Sequence, residues 1–92
     1  MTRKPPPYKR RCFAFNFTHE GHLYRASASR YPDGRLAEIF LDVGKFNSPL
    51  QQNAETAAVL VSLLLQHGVD ADTILHSVRG PIATALEMAV AP

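Results

Sequence analysis

Residues 57–65 read AAVLVSLLL, and this nearly continuous apolar stretch decides the fold that we predict. Upstream, Ser48 and Pro49 are typical of a helix N-cap and a first helical position, and downstream Gly68 is typical of a helix end. We therefore predict one helix between Ser48 and Gly68. Because its second half is apolar on almost all sides, a sheet can cover only part of it, and later segments or a second copy of the chain must cover the rest.

The residues before this helix show the alternation that is typical of a β-sheet. Residues 13–17 read FAFNF, which places three aromatic rings on one face of a first strand. Residues 23–31 and 36–43 predict a second and a third strand. The sequence YPDGR at 31–35 joins them in a hairpin, because proline fixes one turn angle and glycine accepts a positive φ. We expect the third strand, around Ile39, at the centre of the packing.

Two shorter helices are predicted to follow the long one. Asp70 is a candidate N-cap for a helix over residues 71–78, and Gly80-Pro81 predicts the start of a last helix. The fold class is therefore α+β, a three-stranded antiparallel meander followed by three helices packed on one face in two layers. Residues 11–92 form this single domain, and residues 1–10 precede it as a basic, proline-rich arm. Because both sheet edges are open unless the arm or a second subunit occupies one, we expect a homodimer.

The composition restricts the class of protein. The 92 residues are 46% hydrophobic and 20% charged, which suits one small soluble domain and is too little chain for a barrel or a doubly wound enzyme. A single cysteine, Cys12, excludes a disulfide scaffold and favours a cytoplasmic setting, where we expect a half-buried structural thiol. No apolar stretch approaches the roughly 20 residues of a membrane span, and no apolar signal segment follows the basic N-terminus.

The net charge of +2 is unevenly distributed. Residues 1–11 contain basic residues and no acid, whereas the rest of the chain has more acidic than basic residues. The candidate arm for nucleic acid or an acidic partner consists of Arg3, Lys4, Lys9, Arg10 and Arg11. One hypothesis is thus a small nucleic-acid-binding protein, with Tyr24 and Tyr31 as stacking surfaces. Further cations for this interface are Arg30 and Arg35.

Catalytic and metal-binding patterns are weak. Gly44-Lys45 does not continue into a phosphate-loop motif, and His19 and His22 lack further ligands close in sequence. We therefore predict no catalytic, cofactor-binding or metal-binding residues and no enzyme activity. One loop is a candidate anion site, because a glycine, a lysine and a helix N-terminus lie together there. Its residues are Gly44, Lys45 and Ser48, and a nucleotide-phosphate-sensing module is a further hypothesis.

Several motifs occur in an order that resembles a known domain family. They are HEG at 19–21, YPDGR at 31–35, AEIFL at 37–41, GK at 44–45 before Ser48, SLLLQHGV at 62–69 and PIA at 81–83. Together they resemble the TSCPD-type domain near the C-terminus of adenosylcobalamin-dependent ribonucleotide reductases. The resemblance implies the fold and a link to ribonucleoside-diphosphate reductase. It transfers no catalytic residue, because the catalytic cysteines, the cobalamin site and the cysteine-rich tail of those enzymes have no counterpart here.

The leading hypothesis is therefore a free-standing, non-catalytic binding or regulatory module related to that reductase domain. It would act by homodimerisation, through the apolar helix surface or a sheet edge, or by docking on a larger enzyme such as a ribonucleotide reductase. Nucleic-acid binding through the basic arm and phosphate sensing at the loop are the alternatives. We expect no cofactor and no membrane association.

Overall fold

The computed structural model describes residues 11–44 and 48–91 and confirms the predicted fold class. The strands are β1 (Arg11–His19), β2 (His22–Arg30) and β3 (Leu36–Asp42), and the helices are α1 (Pro49–Gln66), α2 (Ala71–Leu75) and α3 (Pro81–Val90). The strands form one antiparallel sheet in the order β1-β2-β3. The central strand is therefore β2. The strand around Ile39, which we expected at the centre of the packing, is an edge strand of the sheet, as in the predicted meander, and its inward side chains belong to the core.

Two hairpins set the register of the sheet. β1 and β2 are joined by Glu20-Gly21, whose φ angles of +50° and +80° are those of a type I′ turn and match the twist of the strands. Their pairing then runs without interruption from His19 opposite His22 to Arg11 opposite Arg30. Between β2 and β3 the register shifts at the end of β2, next to the predicted YPDGR turn. This turn is closed by a 2.9 Å hydrogen bond from Gly34 N–H to the Tyr31 carbonyl.

The core lies between one face of the sheet and the helices. Its largest fully buried side chains include Tyr24 of β2, Ile39 of β3 and Leu86 of α3. Small residues fill the space around them and let α1 and α3 approach the sheet closely. The remaining buried members of the cluster are Ala26, Ala28, Leu36, Leu41, Ala54, Ala58, Val61, Leu65, Ile74, Ile82, Ala85 and Ala89.

Both predicted ends of the long helix are confirmed. Ser48 is the N-cap of α1, and its hydroxyl accepts a 3.0 Å hydrogen bond from Gln51 N–H. At the other end Gly68 adopts φ +89° and donates to the Leu65 carbonyl at 3.1 Å. Since a left-handed residue after the last turn is the usual way to satisfy the final carbonyls, α1 ends here.

Of the two later helices, α2 differs from the prediction. α3 begins at Pro81 as predicted, whereas α2 ends at Leu75, three residues before the expected end. Asp70 occupies the N-cap position of α2, but its side chain makes no capping hydrogen bond. In the described part of the chain, no helix has both the length and the hydropathy needed to cross a bilayer.

Candidate interaction surface

The edge of β3 that faces away from the sheet is covered by polar side chains of α1. The Ser62 hydroxyl accepts a hydrogen bond from Ile39 N–H and donates one to the Ile39 carbonyl, both at 3.0 Å. Gln66 Nε2 donates to the Ala37 carbonyl at 3.1 Å. These side chains take the place of a neighbouring strand, so another strand cannot pair with this part of β3.

A polar cluster continues this cover to the end of β3. There the Gln51 Oε1 accepts from Val43 N–H at 2.8 Å. Asp42 accepts a 2.7 Å hydrogen bond from Arg25 across the strands and a 3.0 Å hydrogen bond from Gly44 N–H. The Gly44 hydrogen bond, followed by the Arg25 guanidinium, holds the pKa of Asp42 below its ordinary value. An ionised carboxylate therefore lies beside Gly44.

The candidate anion site lies partly in the described residues. Lys45 lies outside them. The Ser48 hydroxyl already accepts from Gln51 N–H, and Gly44 N–H already donates to Asp42. Both described groups are thus engaged within the protein, and the nearby carboxylate opposes a second anion. The anion site remains a prediction.

The outward side of α1 exposes large apolar side chains. Val59, Leu60 and Leu64 are 58%, 56% and 43% exposed, and Phe40 on the outer side of β3 is 52% exposed. Phe40, Val59 and Leu63 line one groove of about 790 Å³ between β3 and α1. We call these five residues the α1 face. We predicted that later segments or a second copy would bury the rest of this helix. The later segments bury only part of it, and the flank formed by the α1 face stays in contact with solvent.

The stacking surfaces expected for nucleic-acid binding are buried. Tyr24 and Tyr31 are 1% and 4% exposed, and burial raises the pKa of the Tyr24 phenol. That part of the prediction is wrong, because both rings pack inside the protein instead of standing on its surface. Arg30 donates to the Ala89 carbonyl in the last turn of α3 at 2.6 Å. Arg35 forms a 2.7 Å ion pair inside its own turn.

The predicted basic arm lies almost entirely outside the described residues. Its members in residues 1–10 and the side chain of Arg11 lie outside what the structure describes, and nucleic-acid binding through the arm remains a prediction. Cys12 is exposed, contrary to the expected half-buried thiol, because its side chain lies on the sheet face opposite the core. Among the described histidine, cysteine and acidic side chains, no group of three could hold a metal ion.

This geometry defines a small α+β module in which a helix closes one sheet edge and presents an apolar flank. The family model of the TSCPD domain matches residues 3–86, and the chain belongs to this family. It is 36% identical over 70 residues, 76% of its length, to a vitamin B12-dependent ribonucleotide reductase of Bradyrhizobium diazoefficiens. It is 31% identical over 67 residues, 73% of its length, to that of Agrobacterium fabrum.

The relatives are far longer than this chain. The matched part makes up 6% of the Bradyrhizobium enzyme and 5% of the Agrobacterium enzyme. No solved structure gives a significant match. The family predicted from the order of the sequence motifs is thus confirmed, and the relation to ribonucleotide reductases concerns one small segment of those enzymes.

Proposed function

We propose that this domain is a non-catalytic association module that docks, through the α1 face, on a larger enzyme of the ribonucleotide reductase class. The observation that carries the proposal is the exposure of Val59, Leu60, Leu64 and Phe40, between 43% and 58%. Contiguous apolar surface of this kind is uncommon on soluble monomers and marks sites of association. The cytoplasmic location expected from the sequence belongs to the same proposal.

The α1 face is not needed to hold the domain together. On the inward side of α1, Ala54, Ala58 and Val61 are already buried against the sheet and α3. Burying apolar surface against a partner contributes about 25 cal/mol per Å², whereas leaving it in water contributes nothing to folding. The free energy available from the outward side chains can therefore be used for binding.

The groove beside α1 makes part of this surface concave. Phe40 and Val59 stand on its two sides, and Leu63 lines it on the α1 side. Ser62 ties the helix to Ile39, so the two walls are held at a fixed spacing. Apolar side chains that become buried in such a pocket when a partner binds are typical of the residues that dominate binding energy at interfaces.

The proposed partner follows from the relatives. Each of them contains the matching segment inside a chain many times longer. A domain of this family in such an enzyme therefore has a large protein body as its covalent neighbour. An apolar flank on the domain suits a contact with that body, and we propose that the α1 face makes this contact without a covalent link as well.

Isothermal titration calorimetry tests the proposal directly. The titrant is this chain, and the cell contains the Bradyrhizobium diazoefficiens reductase lacking the segment that matches it. We expect saturable one-to-one binding, and a weaker response from the intact reductase, because its own segment occupies the site. Leu60→Glu should lower the affinity at least about tenfold, since it places a charge in an apolar contact.

A matched charge at another exposed helical position is the control. Thr73→Glu in α2 adds the same side chain outside the α1 face and should leave the affinity unchanged. Circular dichroism of both variants and of the shortened reductase checks that each is folded. Absence of binding by the wild-type chain, or equal affinities for wild type and Leu60→Glu, would contradict the proposal.

A further inference from the structure

The backbone groups that line the outer edge of β1 can be identified from the first hairpin. Residues that flank a two-residue β-hairpin loop exchange hydrogen bonds, and the pairs then alternate along the strands. His19 and His22 flank Glu20-Gly21, so Phe13, Phe15 and Phe17 are the residues of β1 that bond to β2. The N–H and C=O groups that point away from the sheet belong to Cys12, Ala14, Asn16 and Thr18. We call these groups the β1 edge.

The two edges of the sheet differ in the hydrogen bonds made by their outward backbone groups. At the β3 edge, three α1 side chains hydrogen-bond to the backbone. Gln66 bonds to Ala37, Ser62 bonds to Ile39, and Gln51 bonds to Val43 just after the strand. On β1, no hydrogen bond within residues 11–44 and 48–91 involves the β1 edge. Proteins usually protect an edge strand with a charge, a proline, a bulge or a covering element. Residues 12–18 contain no charge and no proline, and their pairing with β2 has no bulge.

The side chains of β1 are also incompletely covered. The three phenylalanines lie on the core side of the sheet, but Phe13 is 37% exposed and the other two are half-buried. Phe13 stacks on Phe15 with ring centroids 5.8 Å apart, and Phe17 stacks on Tyr24 at 5.3 Å. Within the described residues, a row of aromatic rings thus ends at a strand edge that no hydrogen bond covers.

We propose that β1 pairs with β1 of a second copy of the chain, antiparallel about a two-fold axis, to form a continuous six-stranded sheet. With Phe15 on the axis, Cys12 lies opposite Thr18 of the second copy and Ala14 opposite its Asn16. Every outward N–H and C=O group of the β1 edge then has a partner. The outward backbone groups of β1 lie at the opposite edge of the sheet from the α1 face, although the Ala14 side chain also lines the groove beside α1. The proposal does not depend on docking to a reductase.

A second copy fits this edge for three reasons. Phe13 and Phe17 are placed symmetrically about Phe15, so the rings of both copies meet on the same face of the sheet. Because residues 12–18 are uncharged, identical strands do not repel each other. A two-fold pairing is closed and leaves no further β1 edge exposed. The chain's own residues 5–7 are three prolines without N–H donors, which cannot supply a continuous ladder.

The mass in solution is the first test. Size-exclusion chromatography with light scattering of the full chain, at high micromolar concentration, should give twice the 10.2 kDa chain mass. Ala14→Pro removes an outward N–H without touching the β1–β2 hydrogen bonds, so it should raise the dimer dissociation constant at least about tenfold. Ala14→Val keeps the N–H group and should remain dimeric. A monomeric wild-type chain, or a folded Ala14→Pro variant that dimerises as wild type does, would overturn the proposal.

Cross-linking tests the register and does not require a proline variant to fold. Thr18→Cys places a new thiol opposite Cys12 of the second copy, at about 5.5 Å between Cα atoms, which a disulfide can span. Oxidised glutathione takes up the two electrons and two protons of the thiols, and we expect a disulfide-linked dimer on a non-reducing gel. The double variant with Cys12→Ser should give none. Failure of Thr18→Cys to cross-link, or equal cross-linking by the double variant, overturns the register.

The two proposals fail separately. Leu60→Glu lies on the α1 face and should keep the dimer while it loses binding to the reductase. Loss of the dimer in Leu60→Glu would instead place the dimer contact on α1 and refute pairing through β1.

Discussion

The Ser62 hydroxyl lies 3.0 Å from both the nitrogen and the oxygen of Ile39, so one side chain of α1 satisfies both outward backbone groups of a β3 residue. In a larger sheet a further strand would supply these two hydrogen bonds. A serine hydroxyl can do so because it is a donor and an acceptor at once. This contact explains why a polar residue interrupts the apolar stretch at 57–65.

Ser62→Ala should destabilise the fold by about 1–3 kcal/mol, because the partly buried N–H and C=O groups of Ile39 lose their partner. The control is Ser77→Ala, whose hydroxyl donates to a carbonyl at an exposed position, and its cost should be within about 0.5 kcal/mol. Urea denaturation followed by circular dichroism gives both values. Equal losses would mean that the cover of β3 contributes little to stability.

Arg30 connects the end of β2 to the end of α3. It donates to the Ala89 carbonyl and to the Gly34 carbonyl, each at 2.6 Å. Arg30→Ala should therefore destabilise the domain by about 1.5–3 kcal/mol and increase amide exchange in the last turn of α3. Arg35→Ala, which removes a surface ion pair with Asp33, should cost only about 0.2–1 kcal/mol. Unchanged exchange in α3 after Arg30→Ala would contradict this role.

Gly68 ends α1 in a conformation that side chains disfavour. At φ +89°, Gly68→Ala should cost about 1–2 kcal/mol of folding free energy. Gly68→Asn is the matched control, because asparagine tolerates the left-handed region and should lose less. Thermal unfolding of the two variants gives the comparison. A ranking in which alanine is tolerated better than asparagine would show that the end of α1 is not held in this conformation.

Asp42 should make the domain sensitive to acid. Its pKa is lowered in the folded state, so its ionised form stabilises the fold at neutral pH. This contribution is complete above the ordinary carboxyl pKa of about 3.9 and is lost as the pH falls through the lower folded value. Asp42→Asn should therefore be less stable than wild type at pH 7, with a difference that shrinks in acid. The urea midpoints of both proteins between neutral and acidic pH measure the difference, and a constant gap would refute the linkage.

The elements of this fold follow from local signals. Alternating phenylalanines at 13–17 predict β1, the YPDGR turn predicts the second hairpin, and Ser48-Pro49 predicts the start of α1. Each of these signals acts within a few residues, so the chain neighbours alone determine the outcome. The same applies to the order of motifs that indicated the TSCPD family. α2 is the exception, because Asp70 offers a cap that its side chain does not form.

Features that join distant residues were not predicted. The amide of Gln66 and the hydroxyl of Ser62 appear in the sequence only as polar interruptions of an apolar helix. Their partners, Ala37 and Ile39, precede them by 29 and 23 residues. The prediction that Tyr24 and Tyr31 are exposed stacking surfaces was wrong for the same reason, because residues of other elements bury them. The residue type indicates which interactions a side chain can make, and the tertiary packing determines which residues it contacts.

The amino-acid sequence alone determined three strands, three helices, their order and the family. It did so because turns, caps and periodicity are set by interactions between residues close in the chain. Only the tertiary structure decided that α1 protects the edge of β3, that no hydrogen bond within the described residues covers the outer edge of β1, and that one flank of α1 faces water. These outcomes depend on contacts between residues far apart in the chain, such as the hydrogen bonds between Ser62 and Ile39.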